Sequence, residues 1–113
     1  MEKTLMVGDK EVRFRTSAAI PRIYRDNFGG DIFLELKKVR DGYKKSKKQE
    51  LPMEVLGIVE NLAYCMAKHA DKTIPDDITD WLAEFDNFDV YKIANEIMLL
   101  WNQETATKSV PKR

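Results

Sequence analysis

His69 and Cys65 are the side chains best suited to hold a metal ion or attack an electrophile, and they stand one helical turn apart. At i, i+4 on one helix, an imidazole and a thiolate can face the same ion or the same substrate. The chain holds one histidine and one cysteine, so a soft ligand set cannot be completed. Asp71 is the carboxylate that would have to be added. A Cys–His nucleophilic pair also needs an orienting third group and donors for an oxyanion, and the neighbouring residues supply no obvious ones. The plainer reading makes Cys65 a small core residue and His69 a helix-terminal one. There an imidazolium would interact favourably with the helix dipole.

A second candidate is DWLAEFDNFDVY, Asp80 to Tyr91, which carries four aromatics and four acids in twelve residues. A catalytic reading would set carboxylates such as Glu84 and Asp86 over aromatic walls. The spacing favours a corner between two helices. Ile78, Trp81, Leu82 and Phe85 fall at i, i+3, i+4 and i+7, an amphipathic stripe. Asp76, Asp77, Asp80 and Glu84 take the other side, with acids in the first turn, where the helix dipole favours them. Asp86-Asn87 ends that helix, and Asn87 or Asp89 caps the next. That last helix carries Val90, Ile93, Ala94, Ile97, Leu100 and Trp101. The DKTIPDDITD run lacks the glycine and ligand spacing of a calcium loop, and Gly29-Gly30 is a helix stop rather than a phosphate loop. Nothing here argues for catalysis, a cofactor or a metal.

The elements that position these residues follow from the 113-residue chain, 43% hydrophobic, 34% charged and of zero formal net charge. This composition suits one domain with one core and sets no global field for a nucleic acid or membrane partner. KKSKK, Lys44 to Lys48, could meet phosphates, but without interleaved aromatics and beside an acidic half; nucleic acid is not expected as a partner. A lone cysteine points to a reducing setting. With no signal-peptide pattern at the start and no apolar run of spanning length, the expectation is a soluble cytoplasmic protein. Charge is locally uneven. Lys37 to Lys48 holds seven bases and one acid, and Asp71 to Asp89 holds seven acids and one base. The plain reading is two solvated faces. The sharper one is self-association, Lys44, Lys45, Lys47 and Lys48 of one copy meeting Asp76, Asp77 and Asp80 of another.

The expected fold is mainly α with a small N-terminal β-hairpin, an α+β bundle of four to five helices. The domain is expected to span 1–104, with the hairpin at about 4–15 and a disordered basic tail at 105–113. A hairpin loop centred on Asp9-Lys10 would pair Val7 with Val12; one centred on Gly8-Asp9 would suit a type II′ turn. Ser17 is the expected N-cap of the first helix, with Pro21 in its first turn. Gly29-Gly30 stops that helix and Asp31 starts another, whose apolar side is Ile32, Phe33, Leu36 and Val39. Asp41 to Glu50 is the expected linker. Leu51-Pro52 opens a central helix bearing Val55, Ile58, Val59, Leu62 and Met66.

The order of parts resembles the tail assembly chaperones of long-tailed siphophages and prophages of Gram-positive bacteria. The likeness rests on the VGDKEV hairpin, YRDNFGGDIF at Tyr24 to Phe33, WLAEFDNFDVY at Trp81 to Tyr91, and Trp101 before a basic tail. It covers nearly the whole chain but contains no catalytic signature. The resemblance implies a non-enzymatic protein of the bacterial host cytoplasm, absent from the finished virion. It would bind the tape-measure protein and keep it soluble while tail-tube subunits assemble. In relatives a ribosomal frameshift adds a second domain, through which a longer form would reach the tail-tube protein. A homo-oligomer is expected. A client helix needs an exposed apolar groove, for which Trp81, Phe85, Phe88, Tyr91, Leu100 and Trp101 are the candidates, those left exposed forming the surface. Met6, Met53, Met66 and Met98 would add adaptable surface where exposed. The alternative function is a generic helical interaction adaptor with another client.

Overall fold

Alternating apolar and polar residues around Gly8-Asp9 fold into an antiparallel hairpin of β1 (Glu2–Val7) and β2 (Lys10–Arg15). The computed structural model describes residues 1–45 and 53–109. Of the two registers weighed, the chain takes the one centred on Gly8-Asp9, with Leu5 opposite Val12 and Val7 opposite Lys10. Gly8 opens the turn at φ 65°, a conformation glycine adopts without steric penalty. This register gathers Val7, Val12 and Phe14 on one buried face, with Leu5 packed beside them. A two-stranded sheet is marginal alone, so that face must rest on helices.

Helix α1 (Ile20–Phe28) has Pro21 in its first turn, where a missing N–H leaves no bond unmade. Ser17 is not its N-cap. Ala19 holds that position, and Ser17 Oγ accepts the Ala19 N–H at 3.1 Å while lying 2.9 Å from His69 Nε2. The hydroxyl is drawn into a tertiary contact instead of a helix end. Gly29 stops α1 at φ 76°, its N–H donating to the Arg25 carbonyl at 2.8 Å. Asp31 then caps α2 (Ile32–Lys45), accepting the Phe33 N–H at 2.9 Å. Helix α2 runs through Lys45, well into the stretch expected as linker. Its packed first turns nucleate it, and lysines extend it at little cost.

Helix α3 (Met53–Ala70) is the spine. Residues 62–67 are buried on every side, and α3 contacts β2, α1, α2, α4 and α5. Helix α4 (Ile78–Leu82) is shorter than the stripe suggested. The Glu84 and Phe85 N–H groups donate to the carbonyls three residues back, which tightens the chain into a turn. Helix α5 (Val90–Ser109) starts at Asp89, whose carboxylate accepts the Lys92 N–H at 3.2 Å. It continues beyond the expected boundary at residue 104. Ile93, Ala94, Ile97, Leu100 and Trp101 are its buried side. Thus the chain is an α+β protein, with one hairpin and five helices among the described residues. Among the described residues no helix is long and apolar enough to cross a membrane.

Aromatic rings tie the helices together. Tyr24 meets Phe28, Phe28 meets Tyr64, and Tyr64 meets Trp81, with centroids 5.3–6.2 Å apart. Trp81, at 1% exposure, also takes the edges of Phe85 and Phe88 at 5.3 and 5.6 Å. We predict that Trp81→Ala destabilises the chain by about 3–5 kcal/mol, through lost burial and an unfilled cavity. Leu99→Ala, at an exposed site, should change stability by under about 0.5 kcal/mol. Urea denaturation of the two variants checks both.

Candidate functional site

Half of the expected client-binding set is core. Trp81 and Leu100 are buried, and Trp101 packs against Phe33 at a ring distance of 5.7 Å. Burial in the domain removes these three from any surface offered to a partner. The fold brings Trp81, Phe85 and Phe88 into one cluster. Phe85 and Phe88 are half-buried there, 5.9 Å apart, and the Lys10 ammonium lies 5.8 Å from the Phe85 centroid. Tyr91 is the one aromatic of the set classed as exposed, at 39%.

The more exposed apolar side chains lie elsewhere. Phe33 (57%), Leu34 (63%), Met53 (87%) and Leu99 (53%) stand on α2, α3 and α5. Phe33 was expected on the packed side of α2. The helix instead buries Ile32, Leu36 and Val39, leaving Phe33 at its edge against Trp101. Met6 and Met53 are exposed, Met98 is half-buried and Met66 is core. Leu34 and Leu99 were not singled out in the sequence. Their signal was present, since each breaks the polar face of an otherwise amphipathic helix.

The charge pairing between copies has only one side in view. Lys44 and Lys45 end α2, and Lys47 and Lys48 lie outside the described residues. Asp76, Asp77 and Asp80 are exposed at the entry to α4. Asp76 is engaged within the chain, 2.8 Å from Lys68 Nζ. That ammonium also donates to the Ile74 carbonyl and reaches the Lys72 carbonyl at 3.4 Å, so it staples the turn after α3. The Lys68 bond holds the Asp76 carboxyl below the usual carboxylate range. At this exposure the pair adds little stability.

Cys65 and His69 do not converge on a site. Burial pushes the Cys65 thiol up to about 12, so no thiolate is available near neutral pH. Burial lowers the His69 pKa first, and Arg15, Lys72 and the N-terminal amine lower it further. The imidazole is therefore neutral at pH 7, contrary to the expected dipole-stabilised cation. It joins α3 to the segment before α1 through Ser17. Among the described residues no group of three His, Cys, Asp or Glu is placed to hold a metal ion.

One surface hollow, about 360 Å³, lies between α1 and α2 along Arg25, Gly29, Gly30, Asp31 and Phe33. Two more, about 220 and 160 Å³, flank the hairpin tip and the Lys10–Phe85 contact. Two fall below the size of a typical small-molecule site.

His69 gives a pH test. The unfolded chain takes up this proton near pH 6.5, and the folded chain resists it. Stability should fall as pH drops through 6.5 towards the lower folded value, then stop falling from this source. Burial raises the Glu60 pKa, which acts in the opposite direction. The comparison is therefore between wild type and His69→Gln. Urea midpoints at pH 7.5 and 5.5 should show the larger loss in wild type.

Comparison with known proteins finds no protein family that matches the chain, and neither a curated protein nor a solved structure similar to it.

Proposed function

We propose that this protein is a tail assembly chaperone that binds the tape-measure protein and keeps it soluble during tail-tube assembly. The observation that carries the reading is the apolar surface on the long helices. Phe33 and Leu34 on α2, Met53 on α3, and Tyr91 and Leu99 on α5 are each more than a third exposed. Side chains of this size gain by burial, and apolar residues left exposed on several helices are what a partner helix would cover. Amphipathic helices dock on such surfaces through apolar side chains repeating at three and four residues. The tape-measure protein, long and helix-rich, offers that repeat many times over. The order of hairpin, tyrosine-bearing helix, core helix and aromatic corner supports the same reading through its resemblance to these chaperones.

On this reading the protein is not an enzyme. It works in the host cytoplasm, several copies coat one extended client, and none remains in the finished virion. A frameshifted longer form, where one is made, would carry the link to the tail-tube protein.

The test is co-expression with a tape-measure protein, followed by affinity capture from the soluble fraction. The expected result is a client that moves from the pellet into solution and co-purifies with several copies of this chain. A client that stays insoluble, with nothing captured, would overturn the reading.

A further inference from the structure

Helix α3 carries one stripe at helical spacing, Met53, Leu56, Gly57 and Glu60, that continues into Tyr64 and Ala67. The two halves of the stripe have different fates. Tyr64 and Ala67 are buried; the Trp81 ring of α4 packs on Tyr64, and the Tyr64 hydroxyl donates to the Pro75 carbonyl at 2.6 Å. Over the first half, Met53 is 87% exposed, and Leu56, Gly57 and Glu60 are half-buried. The open half is two helical turns, about 10 Å long.

Two residues in it make poor sense for the isolated chain. Glycine is the weakest helix former after proline, yet Gly57 sits within α3. A Cβ built there would meet no described atom within 4 Å. The chain's own packing therefore does not require the missing side chain. Glu60 is half-buried with no hydrogen bond or ion pair among the described residues, and burial holds its carboxyl above the usual range. A carboxylate in that position is a liability until a cation covers it.

We propose that the Met53–Glu60 half of α3 is the docking site for a client helix, which sets a lysine or arginine on Glu60 and a bulky side chain into the space over Gly57. This rests on the chaperone reading and names the part of the surface that would perform it. Charge complementarity selects the occupant. A purely apolar helix would bury Glu60 unpaired, whereas a basic residue among apolar neighbours satisfies the acid and the stripe together. Met53, long and unbranched, adapts to differing client side chains, which suits a client that offers many similar helices.

The test uses the same co-expressed client with Gly57→Leu, which fills the space, and Glu60→Lys, which reverses the charge. Gly57 has open space beside it and Glu60 has no described partner to lose, so thermal midpoints by circular dichroism should match or exceed wild type. Each variant should capture less client than wild type by about tenfold or more, the scale of losing one partner of a desolvated charge pair. If wild type captures no client, the chaperone reading itself falls, and this site with it. If wild type captures client and both folded variants capture as much, the reading stands and the site is wrong. If the variants capture client normally but run smaller on size exclusion, a second copy of this chain occupies the stripe, and the proposal is again overturned.

Discussion

The burial of α3 is the constraint on which the rest of the structure depends. Its residues 62–67 are buried, so β2 and the other four described helices lie against it. Tyr64 shows how tightly this is specified. Its ring is shared between Phe28 and Trp81, and its hydroxyl satisfies the Pro75 carbonyl. A phenol held at both ends fixes the chain path after α3 as well as the seat of α1. The hairpin depends on the same arrangement. Its apolar face is small, and it persists because Val7, Val12 and Phe14 are covered. Lys3 adds an ion pair to Glu96 of α5 at 2.6 Å.

The spine also explains why the aromatic corner is structural. Trp81 fills the space beside Tyr64, and Phe85 and Phe88 close around it edge-on. Trp81 and Phe88 would stand about 10 Å apart along a straight helix, so their ring contact at 5.6 Å is easier to make where the chain turns between them. That favours ending α4 at Leu82 over carrying a straight helix to Phe85. The acids of the corner are then left to solvent or to the start of α5, where Asp89 caps. A site that looks chemical as a string of letters serves as packing.

The core helix, the hairpin, the Gly29 stop and the Asp31 cap were legible because each rests on local physics: a repeat, a turn residue or a capping oxygen. The capping choice between Asn87 and Asp89, and the hairpin register, were left open by the same local rules, and tertiary packing selected one of each. The Ser17–His69 contact was not legible. It joins residues far apart in the chain, and a serine before a helix reads first as a cap. The candidate surface was half legible. Periodicity marked Trp81, Leu100 and Trp101 as apolar but could not say that the core would claim them. It placed Phe33 inward because its neighbour Ile32 is inward, and the helix turned so that only Ile32 was covered. Of the open stripe on α3 only Met53 was marked as possible surface; Leu56, Gly57 and Glu60 fall outside the core spacing of that helix, and nothing local separates the half covered by α4 from the half that is not.

The central claim is that a client helix meets exposed helical faces and leaves the aromatic core intact. Hydroxyl-radical footprinting of the co-purified complex against the free protein tests it directly, because methionine and tryptophan are both reactive when solvent reaches them. Met53, 87% exposed in the free chain, should lose reactivity on binding, and Trp81, 1% exposed, should stay unreactive in both states. Unchanged Met53 together with newly reactive Trp81 would mean that the client opens the core instead, and would contradict the account.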